Sequence, residues 1–97
     1  MILYIDTMAG LNKKNKSTLE DIFHEPLRSD VAWKDIESLI IALGGEISEG
    51  SGSRVRIYLQ GIRAVFHRPH PQRITDKGTL KSVRRFLMEA GINHVEI

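Results

Sequence analysis

The sequence predicts an α+β fold in which two helices cover one face of a three-stranded antiparallel sheet, in the order α-β-β-β-α. The first supporting observation is a pair of alternating apolar and polar runs, residues 54–59 and 62–67, which have the period of half-buried strands. The second is the helical spacing of apolar residues in two flanking stretches, 33–43 and 80–90. Ninety-seven residues allow one domain with a modest core, so these apolar surfaces are expected to pack together.

Residues 1–30 are predicted to form an N-terminal arm and a short helix ahead of the main domain, residues 31–97. The opening MILYI is too short for a signal peptide and lacks a basic flank, and the polar stretch that follows it is typical of a linker. Ser17-Thr18-Leu19-Glu20 has the pattern of a capping box. It predicts a helix over residues 18–24, which Pro26 prevents from continuing.

The next helix and strand are predicted between residues 33 and 49. Five apolar residues recur at helical spacing, namely Trp33, Ile36, Leu39, Ile40 and Leu43. Gly44-Gly45 is typical of a helix end, and residues 46–49 are expected to form a short strand. Trp33 could stack on a base, but its place at the start of an apolar stripe favours the core. The glycine-rich turn at residues 50–53 lacks the Lys and the following helix of a nucleotide-binding loop.

The two alternating runs are predicted to form a hairpin whose register follows from the hydrophobic pattern. Gln60-Gly61 fits a tight two-residue turn. Pairing Leu59 with Ile62 collects the apolar residues on one face, whereas a slip by one residue would mix the two faces. This register pairs Arg54 with His67. Their side chains are therefore expected to be close enough to act on one chemical group.

The connection after the hairpin, residues 67–71, is predicted to be extended because it contains two prolines. His67 and His70 invite a metal-site interpretation. No third ligand of a suitable kind lies nearby in the sequence, and the spacing differs from that of a helical histidine pair. We therefore predict no metal site.

The last helix is predicted to be capped by Thr79 and to end at Gly91. Its buried stripe is expected to comprise Leu80, Val83, Leu87 and Ala90. Lys81, Arg84 and Arg85 are expected to project outward. Lys77-Gly78 lies beside the free amides of the helix start, which fits either a phosphate site or an unoccupied solvated cap.

Positive charge is concentrated in residues 52–91. They hold nine of the fourteen Lys and Arg residues against two acidic residues, whereas residues 1–51 hold five basic and nine acidic ones. This asymmetry indicates an anionic partner, with nucleic acid the leading candidate. The chain has no cysteine, which excludes disulfides and thiolate metal sites and suits a reducing cytoplasm. It also has no apolar run of the ~18 residues that a membrane span needs, so no membrane partner is expected.

The predicted element order matches the double-stranded-RNA-binding type of fold, and three short motifs add a family resemblance. The motifs are Gly52-Ser53-Arg54, Pro69-His70-Pro71 and Lys77-Gly78-Thr79-Leu80. In order and spacing they resemble the Gly-Ser-His, Pro-His-Pro and Lys-Gly-Thr-Leu motifs of the HicA toxin family of type II toxin–antitoxin systems. With the helix before them, the resemblance covers about residues 31–92.

The resemblance implies a small RNA-cleaving toxin, an mRNA interferase, held inactive by a HicB-type antitoxin. In that family the histidine of Gly-Ser-His is catalytic, and Arg54 stands in its place here. Because arginine stays protonated, it cannot act as a general base. The hairpin register offers His67, since a histidine can take a proton from a ribose 2′-hydroxyl while Arg54 stabilises the charged transition state. The alternative is a non-catalytic RNA- or partner-binding module with His67 as a surface histidine.

RNA binding is expected to use the basic and histidine side chains of the hairpin, the connection and the last helix. These residues are Arg56, Arg63, Arg68, His70, Lys77, Lys81, Arg84 and Arg85. An acidic antitoxin is expected to cover the face that carries Arg54, Arg56, Arg63 and His67, because covering it both neutralises charge and closes the site. No cofactor is expected.

Overall fold

A computed structural model of the protein describes residues 11–69 and 73–92. The helices are α1 (Lys13–Ile22), α2 (Trp33–Ala42) and α3 (Lys77–Glu89), and the strands are β1 (Glu46–Glu49), β2 (Arg54–Leu59) and β3 (Ile62–His67). The strands form an open antiparallel sheet in the order β1-β2-β3. The predicted α+β fold with the order α-β-β-β-α is therefore confirmed, with α1 preceding it. None of these helices has the length and apolar character needed to cross a membrane within the described ranges.

The hairpin of β2 and β3 has the register that the hydrophobic pattern predicts. Leu59 pairs with Ile62, and Arg54 pairs with His67. The connecting residues Gln60 and Gly61 have φ angles of 50° and 81°. Positive φ at both positions is the mark of a type I′ turn, whose twist matches that of the flanking strands.

One face of the sheet is buried against α2 and α3. Its buried side chains are Val55, Ile57, Leu59 and Phe66. The Phe66 ring lies between Trp33, with ring centroids 5.8 Å apart, and Phe86, with centroids 6.1 Å apart in an edge-on arrangement. Trp33 is therefore a core residue, as its place in the apolar stripe predicted. Removing a buried ring of this kind typically costs about 3–5 kcal/mol of folding free energy.

Helix α1 begins earlier than the sequence pattern predicted. The capping box at Ser17 predicted a start near residue 18, but the side chain of Asn12 accepts a hydrogen bond from the Asn15 amide at 2.7 Å and caps the helix there. Thr18 lies inside the helix and bonds back to the Lys14 carbonyl. The linker interpretation is thus wrong for residues 11–16, because Leu11 is buried in the same hydrophobic cluster as the sheet.

The N-terminal cap of α3 is Asp76 rather than Thr79. The Asp76 carboxylate accepts hydrogen bonds from the Thr79 hydroxyl at 2.7 Å and from the Thr79 amide at 3.3 Å. Both hydrogen bonds lower the pKa of Asp76, and the bond from the Thr79 hydroxyl has the larger effect. The predicted buried stripe of α3 is confirmed at Leu80, Val83, Leu87 and Ala90.

The starts of α2 and α3 are held together by a short antiparallel bridge between Ala32 and Ile74. The Thr75 amide donates to the Val31 carbonyl at 2.7 Å, and the Trp33 amide donates to the Arg73 carbonyl at 3.4 Å. These contacts tie the starts of the two helices to each other. Residues 70–72, which include part of the connection predicted to be extended, lie outside the described residues.

Candidate nucleic-acid interface and catalytic pair

The face of the sheet opposite the helices, termed the open face here, is exposed and basic. Strand alternation and pairing place eight residues on it, namely Glu46, Ser48, Arg54, Arg56, Tyr58, Arg63, Val65 and His67. Tyr58 and Val65 keep 40% and 60% of their surface exposed. Three arginines and a histidine thus share this face with one carboxylate. A polyanion would find complementary charge there.

At one end of the open face, Arg54 and His67 are direct partners in the hairpin. Side chains of directly opposed residues start from Cβ atoms about 4.5–5.5 Å apart, so both can reach one bound phosphodiester. Both residues are exposed, and Arg54 forms no ion pair with any residue in the described ranges. Its guanidinium is therefore available to an anion.

Ser53 lies next to this pair and contacts His67, although the sequence analysis gave it no role. Its hydroxyl oxygen lies 2.9 Å from His67 Nε2, and its carbonyl accepts a hydrogen bond from the Arg68 amide at 2.7 Å. The bond between Arg68 and Ser53 adds one backbone hydrogen bond beyond the end of the β2–β3 ladder and holds Ser53 beside the imidazole. The signal was present in the sequence, because the predicted register of Arg54 with His67 already places the residue before Arg54 next to this ring.

At the other end of the open face, the Arg63 guanidinium carbon lies 5.2 Å from the centre of the Tyr58 ring. Between the two ends, Arg56 donates to the Glu49 carbonyl at 3.1 Å. The strands here line a shallow depression of about 560 Å³. A second, smaller groove of about 300 Å³ lies between β3 and α3, and Arg85 lines it together with Arg63. The basic surface of the open face therefore continues towards α3.

Arg68 lies on the helix side of the sheet, apart from the open face. Its Nε donates to Glu37 at 2.9 Å and its Nη1 contacts both carboxylate oxygens of Glu49 at 2.9 Å. The bonds to Glu37 and then Glu49 raise the pKa of Arg68 above its ordinary value. Glu37 also accepts the Trp33 indole N–H. This geometry gives Arg68 a structural role, so it does not support the predicted RNA contact.

Arg84 does not project outward, so that expectation is wrong. Its guanidinium donates to the carbonyls of Ile22 at 2.9 Å and His24 at 2.8 Å and pairs with Glu25. It also lies 5.8 Å from the centre of the Phe23 ring, and its side chain is only 17% exposed. Arg84 satisfies carbonyls at the C-terminal end of α1 and fastens that helix to α3.

The remaining basic residues of α3, Lys77, Lys81 and Arg85, are exposed as predicted. They form no ion pair with any residue in the part of the chain that the structure describes. The start of α3 is already occupied by the Asp76 carboxylate, which favours a solvated cap there over a phosphate site. Phosphate contacts in α3 are therefore expected from its flank.

The proposed contact of His70 lies outside the described residues. Within residues 11–69 and 73–92, no three histidine or carboxylate side chains converge as a ligand set for a metal ion. The arrangement that remains is a histidine–serine contact beside a free arginine on a basic sheet face. These groups can accept a proton and bind a phosphodiester.

A comparison with protein families gives a match. A family model described as the HicA toxin of bacterial toxin–antitoxin systems matches residues 33–92, which run from the start of α2 past the end of α3. No curated protein and no solved structure matches significantly. The matched range includes Ser53, Arg54 and His67 and excludes α1.

Proposed function

The chain belongs to the HicA toxin family of bacterial toxin–antitoxin systems, and on this premise we propose that it is an RNA endonuclease whose catalytic histidine is His67. The observation that supports this proposal most directly is the position of His67. It lies across from Arg54, which stands where the family's Gly-Ser-His motif has its histidine, and its ring contacts Ser53. A histidine absent from one strand is thereby replaced from the neighbouring strand, on the same face of the sheet.

In the proposed reaction, His67 acts as the general base. Its Nε2 lies 2.9 Å from the Ser53 hydroxyl oxygen. In the proposed tautomer, Nε2–H donates to that oxygen and the lone pair is on Nδ1. Nδ1 takes the proton of a ribose 2′-hydroxyl as the 2′-oxygen attacks the adjacent phosphorus. The bond from phosphorus to the 5′-oxygen breaks, and the imidazolium returns its proton to that oxygen directly or through water. The products are a 2′,3′-cyclic phosphate and a 5′-hydroxyl end.

Arg54 supplies the charge that this reaction needs. Negative charge grows on the phosphoryl oxygens as the 2′-oxygen attacks, and a fixed cation at hydrogen-bond distance stabilises that state more than the ground state. A guanidinium suits the role because it presents several N–H donors in one plane. Arginine thus performs the electrostatic part of catalysis, while the proton transfer belongs to His67.

RNA is proposed to lie across the open face and to continue over the exposed flank of α3. The supporting observations are the exposed arginines Arg56 and Arg63, the groove that leads to Arg85, and the free Lys77 and Lys81. A HicB-type antitoxin with an acidic surface would inhibit by covering the same open face. Its association should therefore slow as the salt concentration rises.

The proposal is tested with purified protein and single-stranded RNA in the presence of a metal chelator. Wild type is expected to cleave and to leave cyclic phosphate ends, and His67→Ala is expected to be about 10²–10⁴-fold slower. His24→Ala is the matched control, because His24 is an exposed histidine whose ring nitrogen Nδ1 lies 2.9 Å from the nearby Pro26 carbonyl, and the substitution keeps the backbone carbonyl that Arg84 binds. Growth arrest on expression should follow the same order.

Equal cleavage by wild type and His67→Ala would contradict the assignment of the base. A wild-type protein that binds RNA without cleaving it would instead support the alternative, a non-catalytic binding module. One observation favours that alternative, namely the presence of Arg54 where the family has its catalytic histidine. The chemical nature of the product ends separates true cleavage from a contaminating nuclease of another mechanism.

A further inference from the structure

The end of the open face farthest from the proposed catalytic pair carries an exposed aromatic ring. Tyr58 keeps 40% of its surface exposed although it lies in the central strand of the sheet. Its cross-strand partner is Arg63, whose guanidinium carbon is 5.2 Å from the ring centre. The proposed cleavage reaction uses neither side chain.

We propose that Tyr58 and Arg63 form a stacking platform for an unpaired base of single-stranded RNA. This inference rests on the proposed function and extends it to the class of substrate. Unstacked bases bind proteins by stacking on aromatic rings and on arginine guanidinium planes, and the two are combined here. The guanidinium carbon lies over the ring at 5.2 Å from its centre, so a base that stacks on one of the two groups lies next to the other.

The position of the platform fits one strand of RNA that also reaches the catalytic pair. Tyr58 lies four residues from Arg54 along β2, on the same face of the sheet. At about 3.3–3.4 Å per residue the two lie roughly 13 Å apart. A strand crossing the shallow depression between them would place one base on Tyr58 and a phosphodiester a few nucleotides away at His67.

Two features favour single-stranded RNA over other occupants. The bases of a duplex are already paired and stacked, so they offer no free face to a tyrosine. The platform shares the open face with Arg54 and Arg56, and the one carboxylate of that face, Glu46, is the cross-strand neighbour of Tyr58. The cores of protein–protein interfaces contain few charged residues. Grooves that bind a single strand of nucleic acid along its backbone combine cationic side chains with aromatic rings, as this face does.

The test measures binding of a mixed-sequence single-stranded oligoribonucleotide that is 2′-O-methylated at every position and carries one 2-aminopurine. Without free 2′-hydroxyls the probe cannot be cleaved, so the result is independent of whether His67 is the catalytic base. Tyr58→Leu and Tyr58→Ala are expected to bind the probe about 5- to 100-fold more weakly than wild type. They should also lose the quenching of 2-aminopurine fluorescence that stacking on the ring causes. Tyr58→Phe should bind like wild type.

Two controls separate stacking from charge and from general surface effects. Ile41→Ala changes another exposed apolar residue, 60% exposed on α2, and should bind like wild type. Tyr58→Leu should leave the slope of log affinity against log salt unchanged, because no phosphate contact is lost. Arg56→Ala should lower that slope by about 0.7, the contribution of one phosphate contact in a single strand.

The inference is overturned if Tyr58→Leu, shown to be folded by its thermal transition, binds the oligonucleotide within twofold of wild type. It is equally overturned if a duplex of the same sequence binds as tightly as the single strand with the same dependence on Tyr58. Tyr58→Leu could also lose its binding to an acidic antitoxin while it retains full binding to the oligonucleotide. That result would make the platform a contact for a protein instead of RNA.

Discussion

Ser53 Oγ lies 2.9 Å from His67 Nε2, although the two residues are 14 positions apart in the chain. The contact follows from the hairpin, because Ser53 immediately precedes β2 and His67 is the last residue of β3. An exposed histidine at a strand end would otherwise rotate freely about its side-chain bonds. The serine restricts that rotation and fixes the position of the ring, which makes it a positioning residue for the proposed base.

Ser53→Ala is therefore expected to lower the rate constant kcat of RNA cleavage by up to about tenfold, the effect of losing one hydrogen bond at the upper end of its usual range, about 1.4 kcal/mol. KM should stay within twofold, because no RNA contact is removed. Ser53→Thr keeps the hydroxyl and should restore most of the rate. Combining Ser53→Ala with His67→Ala should add nothing to the histidine variant, and a further loss in the double variant would contradict the positioning role.

The hairpin register could be predicted from the sequence because side chains alternate with a period of two. A slip of one residue would have exposed Val55 and Ile57 and buried Arg54, so only one pairing was consistent with a core. The start of α1 was less determined. Both Asn12 and Ser17 are suitable caps, and the choice depends on the burial of Leu11 by the folded protein.

The sequence pattern could not show which basic residues form ion pairs within the protein, because neither the helix face nor the strand alternation identifies distant partners. Arg68 pairs with Glu37, 31 positions away, and Arg84 pairs with Glu25, 59 positions away. Such long-range partners are set by the packing of elements and leave no local pattern. The charge asymmetry of the sequence therefore predicted a basic surface correctly in outline, while two of its arginines serve the fold.

Arg84→Ala is expected to destabilise the protein more than it weakens RNA binding. It removes hydrogen bonds to the carbonyls of Ile22 and His24 from a side chain that is mostly buried, which should cost about 1–3 kcal/mol of unfolding free energy. Urea unfolding measures the loss. The matched control is Arg85→Ala on the same helix, which is exposed and should change stability by less than about 0.5 kcal/mol.

The exposed cations of α3 should show the opposite behaviour. Lys81→Ala combined with Arg85→Ala is expected to lower the slope of log RNA affinity against log salt by about 1.4, since each phosphate contact contributes about 0.7 in a single strand. Thermal stability should be unchanged. An unchanged slope would place the RNA path elsewhere, and a similar slope change in Arg84→Ala would contradict its assignment as a structural residue.

Arg68 is expected to stabilise the junction of β3, β1 and α2. Arg68→Met leaves the half-buried Glu37 carboxylate with only the Trp33 indole as a described partner, which should cost about 1–2 kcal/mol after allowance for solvent screening. Changing both residues, Arg68→Met with Glu37→Gln, should recover part of this loss because no unpaired charge remains. Arg28→Met is the control, since both of its carboxylate partners, Asp21 and Asp30, are more exposed than Glu37 and little change is expected. Additive losses in the double variant would show that the two residues do not interact.

The Asp76 cap of α3 makes a defined contribution to the dependence of stability on pH. Hydrogen bonds from Thr79 lower the pKa of the carboxyl group in the folded protein, so the folded state favours the ionised form. The resulting stabilisation is present above the pKa of an unfolded aspartate, about 3.9, and is lost as the pH falls through the lower folded-state pKa. Asp76→Ala should cost about 1 kcal/mol at pH 7, whereas Asp76→Asn keeps a capping oxygen without titrating and should cost less.

Urea unfolding of wild type and Asp76→Asn between pH 7 and pH 2.5 isolates this contribution, because the other carboxyl groups titrate alike in both proteins. The wild type should lose stability relative to Asp76→Asn below about pH 4, and the difference between them should be constant above about pH 5. Parallel curves over the whole range would mean that the pKa of Asp76 is the same in the folded and unfolded states, which would contradict the stabilising effect of the Thr79 hydrogen bonds on the carboxylate.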